Sequence, residues 1–249
     1  SEKLYNDAVN VGGEKYAELL LLSYRQVIAA HKLVLDENGE ILYISKECNS
    51  NGCAVTVDVS YPSTPLFLLY NPELVKGMMR PIYKYAQSEA WTFDFAPHDV
   101  GQYPLVNGQV YGENQLKYQM PVEECGNMLI MMTAVCKADG NADFAKPYWD
   151  ILKLWKNYLV KYGSDPGDQL CTDDFAGHLE HNVNLSVKAI IGIEAYAMLA
   201  EMLGETEEAE KHHILAKEMA ADWEVRANAG DHYSLAFGSP DTWSLKYNL

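Results

Sequence analysis

Positive charge is scarce in this sequence. Lysine and arginine total 19 against 35 aspartates and glutamates, a formal net charge of -16 with a pI near 4.7. That balance excludes a nucleic-acid partner, whose phosphates it would repel, and an anionic membrane surface for the same reason. Cysteine is scarce too, with no C-x-x-C pair and no zinc-ligand spacing. Cys48 and Cys53 flank the turn N-S-N-G; a disulfide would staple it, and two free thiols are the simpler alternative. No stretch approaches the roughly 20 consecutive apolar residues of a membrane span, so no membrane insertion is expected. S-x-x-K, G-x-S-x-G and a Gly-rich phosphate loop are all missing, which removes the common serine nucleophiles and nucleotide sites. Cys125 follows two acids that would raise its pKa, so a cysteine nucleophile is not expected either. His98, His178 and His181 with nearby acids are candidate metal ligands, but His178-x-x-His181 lacks the glutamate of H-E-x-x-H and nothing else imposes a ligand set, so neither a metal nor another cofactor is expected.

What is present suffices for a sizeable core, with 48% hydrophobic and 11% aromatic residues. Helical spacing of Tyr16, Leu19, Leu20, Tyr24, Val27 and Ile28 predicts a helix over residues 13–31. Two short apolar runs around Asn38-Gly39 predict a β-hairpin. T-P-L-F-L-L-Y predicts a short buried helix, and Asn71-Pro72 opens a second that reaches about residue 88 and bends near Pro81. A long loop, 89–119, precedes a helix over 121–137, and a tight link leads to another over 143–162. A second long loop, 163–181, precedes a helix over 182–203 that is apolar nearly all round. Gly204 ends it, and a charged helix follows over 206–227. Short and long connections therefore alternate, and so do apolar and amphipathic helices. The pattern predicts an all-α fold, a row of helical hairpins with all long loops at one end, arranged as an α/α toroid. A complete ring needs more helices than residues 1–249 supply, so a partial domain of a longer protein is expected.

If the long loops meet at one rim, their polar residues form the site. The first contributes Asn49, Asn51 and Asp58. The second contributes Trp91, Asp94, His98, Asp99, Tyr103, Asn107 and Tyr111. The third contributes Asp173, Asp174, His178, His181 and Asn182, and the helix start at Pro121 adds Glu123 and Glu124. Carboxylates, amides and aromatic platforms suit a small polar substrate such as an amino acid or a sugar. Paired carboxylates also suit hydrolysis, one holding its proton while the other stays ionised. Glu123-Glu124 and Asp173-Asp174 fit either role. First-turn acids also favour the helix dipole with no chemistry implied.

The stretches P-H-D-V-G-Q-Y-P-L-V-N-G-Q-V-Y-G, M-P-V-E-E-C-G-N-M and T-D-D-F-A-G-H-L-E-H-N-V-N-L-S-V-K-A-I resemble the glutaminase A family of fungal and Bacteroides-type proteins. S-K-E-C-N-S-N-G-C and Y-P-S-T-P-L-F-L-L-Y-N-P-E-L extend the resemblance over nearly the whole chain. It implies the six-hairpin toroid of many glycoside hydrolases, a hairpin domain continuing past residue 249, and export from the cell. It also implies hydrolysis of L-glutamine to L-glutamate and ammonia. The similar toroid glucoamylases carry an E-E pair at an inner helix start. By that likeness Glu123 would be the general acid and Glu124 would hold substrate. Asp99, Asp173 or Asp174 would orient water as base, with His98, Asn127, His178 and His181 as contacts. A toroid glycoside hydrolase and a non-catalytic sugar- or small-molecule-binding fragment are the alternatives.

Overall fold

The computed structural model describes residues 2–47, 50–172 and 177–244. The Cys48–Cys53 pairing and the positions of Asp173 and Asp174 lie outside the described residues, whereas Cys53, Cys125, Cys136 and Cys171 are buried thiols. Seven helices and one hairpin make up the described fold: α1 Glu2–Ala29, β1 His31–Leu35, β2 Ile41–Ser45, α2 Val57–Tyr70, α3 Pro72–Ala86, α4 Pro121–Asp139, α5 Trp149–Tyr162, α6 Val183–Met202 and α7 Thr206–Ala227. The fold is all-α with a small antiparallel β-hairpin, as the sequence pattern predicts.

Helix ends follow the local chemistry. Asn71 caps α3 by accepting the Glu73 amide, and Pro72 occupies its first turn. Asn182 caps α6 by accepting the amides of Asn184 and Leu185. Gly140 closes α4 in the left-handed conformation, with φ 71°. Three boundaries differ from expectation. Helix α1 begins well before residue 13 and is broken at Gly13, whose φ of 81° and ψ of 178° are not helical. Helix α2 begins at Val57, about two turns before the apolar run that signals it, and carries Pro62 and Pro65 within its length. Helix α5 begins only at Trp149, because Pro147 disfavours helical geometry in the residue before it and leaves a separate 3-10 turn over Lys146–Tyr148.

Helices α2, α4 and α6 form an inner row in which α4 packs on both neighbours; α3, α5 and α7 alternate outside it. The hairpin lies on α3. By length and composition α6 could cross a membrane, contrary to the sequence expectation of no such run, but 78% of its apolar window is buried inside the domain. It is a core helix.

Where α4 and α6 cross, Gly126 and Gly192 let the backbones meet: a Cβ on Gly192 would lie 3.0 Å from the Gly126 Cα and 2.7 Å from Leu159 Cδ1. Gly192→Val should therefore destabilise the protein toward the upper end of the ~1–3 kcal/mol range for overpacking. Urea unfolding would measure this, and an unchanged midpoint would mean that the helices separate freely.

One residue ahead of α2 is under backbone strain. Val55 is buried with φ 57°, a region that β-branched residues avoid. Its amide is held by the Ser45 carbonyl, and Ala54 exchanges hydrogen bonds with Val100 and Gly101. The hairpin and the long loop together fix how α2 starts.

Candidate active site

Three inner-helix regions bring acidic side chains together. Asp58 stands in the first turn of α2, and Glu123 and Glu124 stand in the first turn of α4. Lys188 comes from the second turn of α6. The loop before α4 supplies His98 and Asp99, and its backbone is tied to α2 where the Val57 amide donates to the His98 carbonyl, 2.9 Å. Gly101 allows this loop to fold back on itself, since a Cβ there would meet the Gly108 carbonyl oxygen at 2.3 Å.

Glu123 and Glu124 both have 0% exposure. A dipole-facing acid in a first turn would ordinarily be solvated, so the burial needs another account. Glu123 is gripped by Thr172, whose amide donates to Oε2 at 2.9 Å and whose hydroxyl lies 2.6 Å from Oε1. The same hydroxyl lies 3.1 Å from Asp58 Oδ2. Glu124 Oε2 accepts from Asn127 Nδ2 at 2.9 Å, and Asn127 Oδ1 accepts from Lys188 Nζ at 2.8 Å. Glu124 Oε1 and Asp58 Oδ1 are buried without a hydrogen-bond partner.

Lys188 is fully buried, and its Nζ lies 3.6 Å from the Tyr61 ring centroid. Gly126 makes room for its stem, because a Cβ there would sit 2.7 Å from Lys188 Cγ. Burial lowers the ammonium to about 8 despite the pull of Glu123 and Glu124. Burial is also the main cause raising both glutamates, reinforced by the Asp58 charge and opposed by Thr172 at Glu123 and Asn127 at Glu124. Asp58 is raised by burial as well, with His98 opposing.

His98 and Asp99 form a buried pair, Nδ1 to Oδ2 at 2.7 Å. A carboxylate can only accept here, so Nδ1 carries the proton and Nε2 faces Asp58 Oδ1 at 3.6 Å. Burial alone would lower His98, but the Asp99 hydrogen bond and the charges of Asp58 and Asp99 outweigh it and raise the imidazole. Asp99 is fully engaged: Oδ1 accepts from the Gly101 amide and Oδ2 also accepts from the Tyr111 hydroxyl, each at 2.7 Å.

His98, Asp99, Tyr111, Glu123, Glu124 and Asn127 thus belong to one connected network. The remaining sequence candidates have other surroundings. Trp91 is buried among Tyr85, Phe93 and Phe95 and donates to the Phe95 carbonyl. Asp94 and Asn107 are exposed. Tyr103 is exposed beside Lys46. His178 and His181 are exposed and face Asp168 and Asp165. Asn182 is spent on capping α6.

Sequence reasoning overlooked Lys188, Thr172 and Tyr61. A lone lysine within the apolar run V-N-L-S-V-K-A-I-I was the available signal for Lys188, since lysine is almost never fully buried unless paired. Nothing local marks Thr172 or Tyr61.

Residues 13–249 match the glutaminase A six helical-hairpin domain. The chain is 36% identical over 253 residues to glutaminase A of Aspergillus oryzae, covering 100% of this chain and 36% of that protein. It is 27% identical over 308 residues to a protein of Arthroderma benhamiae named as a probable glutaminase, covering 100% of this chain and 35% of the relative. It therefore spans about a third of the length of these curated relatives. With the buried carboxylate network seated on the hairpin helices, and the match running from Gly13 to the last residue, the chain belongs to the glutaminase A six helical-hairpin family.

Proposed function

We propose that this chain is the acid/base-bearing part of a glutaminase, a hydrolase that splits the side-chain amide of L-glutamine into L-glutamate and ammonia. The names of the two relatives support the substrate. One observation carries the chemistry: the Thr172 hydroxyl lies between Glu123 Oε1 and Asp58 Oδ2. A hydroxyl has a single proton and cannot donate to two carboxylates at once. A proton on Glu123 resolves this, giving an ordered chain in which Glu123 donates to Thr172 and Thr172 donates to Asp58.

Glu123 is then the proton store, matching the acid role that the family likeness suggests. A one-step shift along the chain moves a proton onto Asp58, which delivers it to the departing nitrogen. One ligand atom each from Asp58, His98 and Glu124 lies within 4.8 Å of the other two, a space suited to the attacking water. Asp99, with three donors upon it, holds His98 in place, and His98 Nε2 takes the proton that the water loses on attack. Lys188 and Asn127 hold Glu124. Further hairpins outside this chain complete the substrate pocket and the toroid.

The full-length protein, assayed for ammonia release from glutamine and for turnover of a glycoside panel, should release ammonia and leave the glycosides intact. Sugar turnover without ammonia release would replace this reading by that of a toroid glycosidase.

A further inference from the structure

We propose that Asp58, His98 and Glu124 bind a divalent first-row cation of the Zn2+ or Mn2+ type through one imidazole nitrogen and two carboxylate oxygens. The proposal concerns the space assigned above to the attacking water, and in that respect it rests on the hydrolase reading.

The ligand-capable atoms of these residues lie within 4.8 Å of one another. Asp58 Oδ1 and Glu124 Oε1 are each buried without a hydrogen-bond partner, and the Glu124 side chain is completely enclosed. A buried carboxylate oxygen left bare costs roughly 1–3 kcal/mol or more, so a protein that bares two of them beside one imidazole nitrogen needs something positive there. A proton on His98 Nε2 does not serve, because its 3.6 Å separation from Asp58 Oδ1 is too long for a hydrogen bond.

The surroundings of His98 have the form of a metal ligand's support. A ligating histidine typically donates its other ring N–H to a carboxylate, which fixes the tautomer and directs the free nitrogen at the ion. His98 Nδ1 does this to Asp99 Oδ2, and Asp99 is itself fixed by the Gly101 amide and the Tyr111 hydroxyl. Glu124 is held from behind by Asn127, and Asn127 by Lys188. Bonds of roughly 2.0–2.2 Å to such ions allow ligand atoms up to about 4.4 Å apart, so only a small inward movement is required. Imidazole favours zinc and the later transition ions, carboxylates accept manganese, and a mixed set of three protein ligands leaves a position open for water. None of the exposed histidine–acid pairs at the surface combines burial, a third ligand and a fixed tautomer.

The test uses the full-length protein, stripped with a chelator and titrated with ZnCl2 or MnCl2 by calorimetry, with CaCl2 and MgCl2 as comparators. One equivalent of Zn2+ or Mn2+ should bind and raise the melting temperature. His98→Gln, Glu124→Gln and Asp58→Asn should each abolish that binding, with folding checked by circular dichroism. Asp99→Asn should weaken it by about 10–100-fold through His98. His232→Gln, which removes a half-buried histidine facing Asp231, should leave it intact. Absence of saturable binding would overturn the proposal and leave a water in the space, as would binding that survives all three ligand variants. Because binding is read without turnover, metal uptake by a protein that releases no ammonia would defeat only the glutaminase reading. Full ammonia release by a protein that shows no saturable Zn2+ or Mn2+ binding would defeat only this one.

Discussion

Glu123→Gln is expected to reduce kcat of the full-length protein on glutamine by about 10²–10⁴-fold, the usual contribution of a positioned proton donor. The substitution is conservative in every other respect. A glutamine can accept the Thr172 amide hydrogen bond through its carbonyl and donate to the Thr172 hydroxyl through its amide, just as a protonated glutamate would. The fold and KM should therefore persist while the transferable proton is lost. Thr172→Val should produce a loss of the same order by cutting the chain between Glu123 and Asp58, and Thr172→Ser should restore most of the rate. Steady-state kinetics on the three variants would decide the matter. A Glu123→Gln enzyme running at the native rate would remove Glu123 from the chemistry altogether.

Lys188→Met should cause the largest loss of stability. The lysine has 0% exposure, donates to Asn127 and faces both glutamates. Methionine has similar length but leaves Asn127 Oδ1 short of a donor and the acidic cluster short of its buried cation. Breaking a buried charge pair from one side costs about 3–5 kcal/mol. For a chain of this size that is a fall in melting temperature on the order of 10 °C. Arginine should not rescue it, because its wider planar head must pass the narrow space that Gly126 leaves for the lysine stem. Thermal denaturation followed by circular dichroism would measure the effect. A Lys188→Met protein as stable as the parent would mean that Glu124 is neutral in the fold as well as Glu123 and needs no counter-charge.

The hairpin architecture was legible because its punctuation is chemical. Asn71-Pro72, Pro121, Gly140, Asn182 and Gly204 each mark a helix end by capping or by a barred conformation, and α7 runs over 206–227 as its pattern predicts. The start of α2 was less legible: V-D-V alternates like a strand, and Pro62 and Pro65 suggest a break where the helix in fact continues. That obscured Asp58 as a first-turn partner of Glu123 and left it looking like one loop acid among several. Burial of Glu123 and Glu124 could not be read locally either, because an exposed dipole-facing acid and an enclosed one have the same sequence. Thr172 acts through contacts to residues 49 and 114 positions away, which no local pattern encodes. His98 was legible as a site residue, but its division of labour with Asp99 depends on which ring nitrogen the carboxylate holds.

The left-handed backbone at Val55 gives the little hairpin a reach beyond its size. A β-branched residue held in that region stores on the order of 1–3 kcal/mol, and it is kept there by the end of β2 and by the loop around Gly101. Three positions farther on stands Asp58. Loosening the edge of the hairpin would let the chain relax and swing that carboxylate away from Thr172 and His98. Two short strands thus work as a latch, and the aim of the acid that follows them depends on their staying shut.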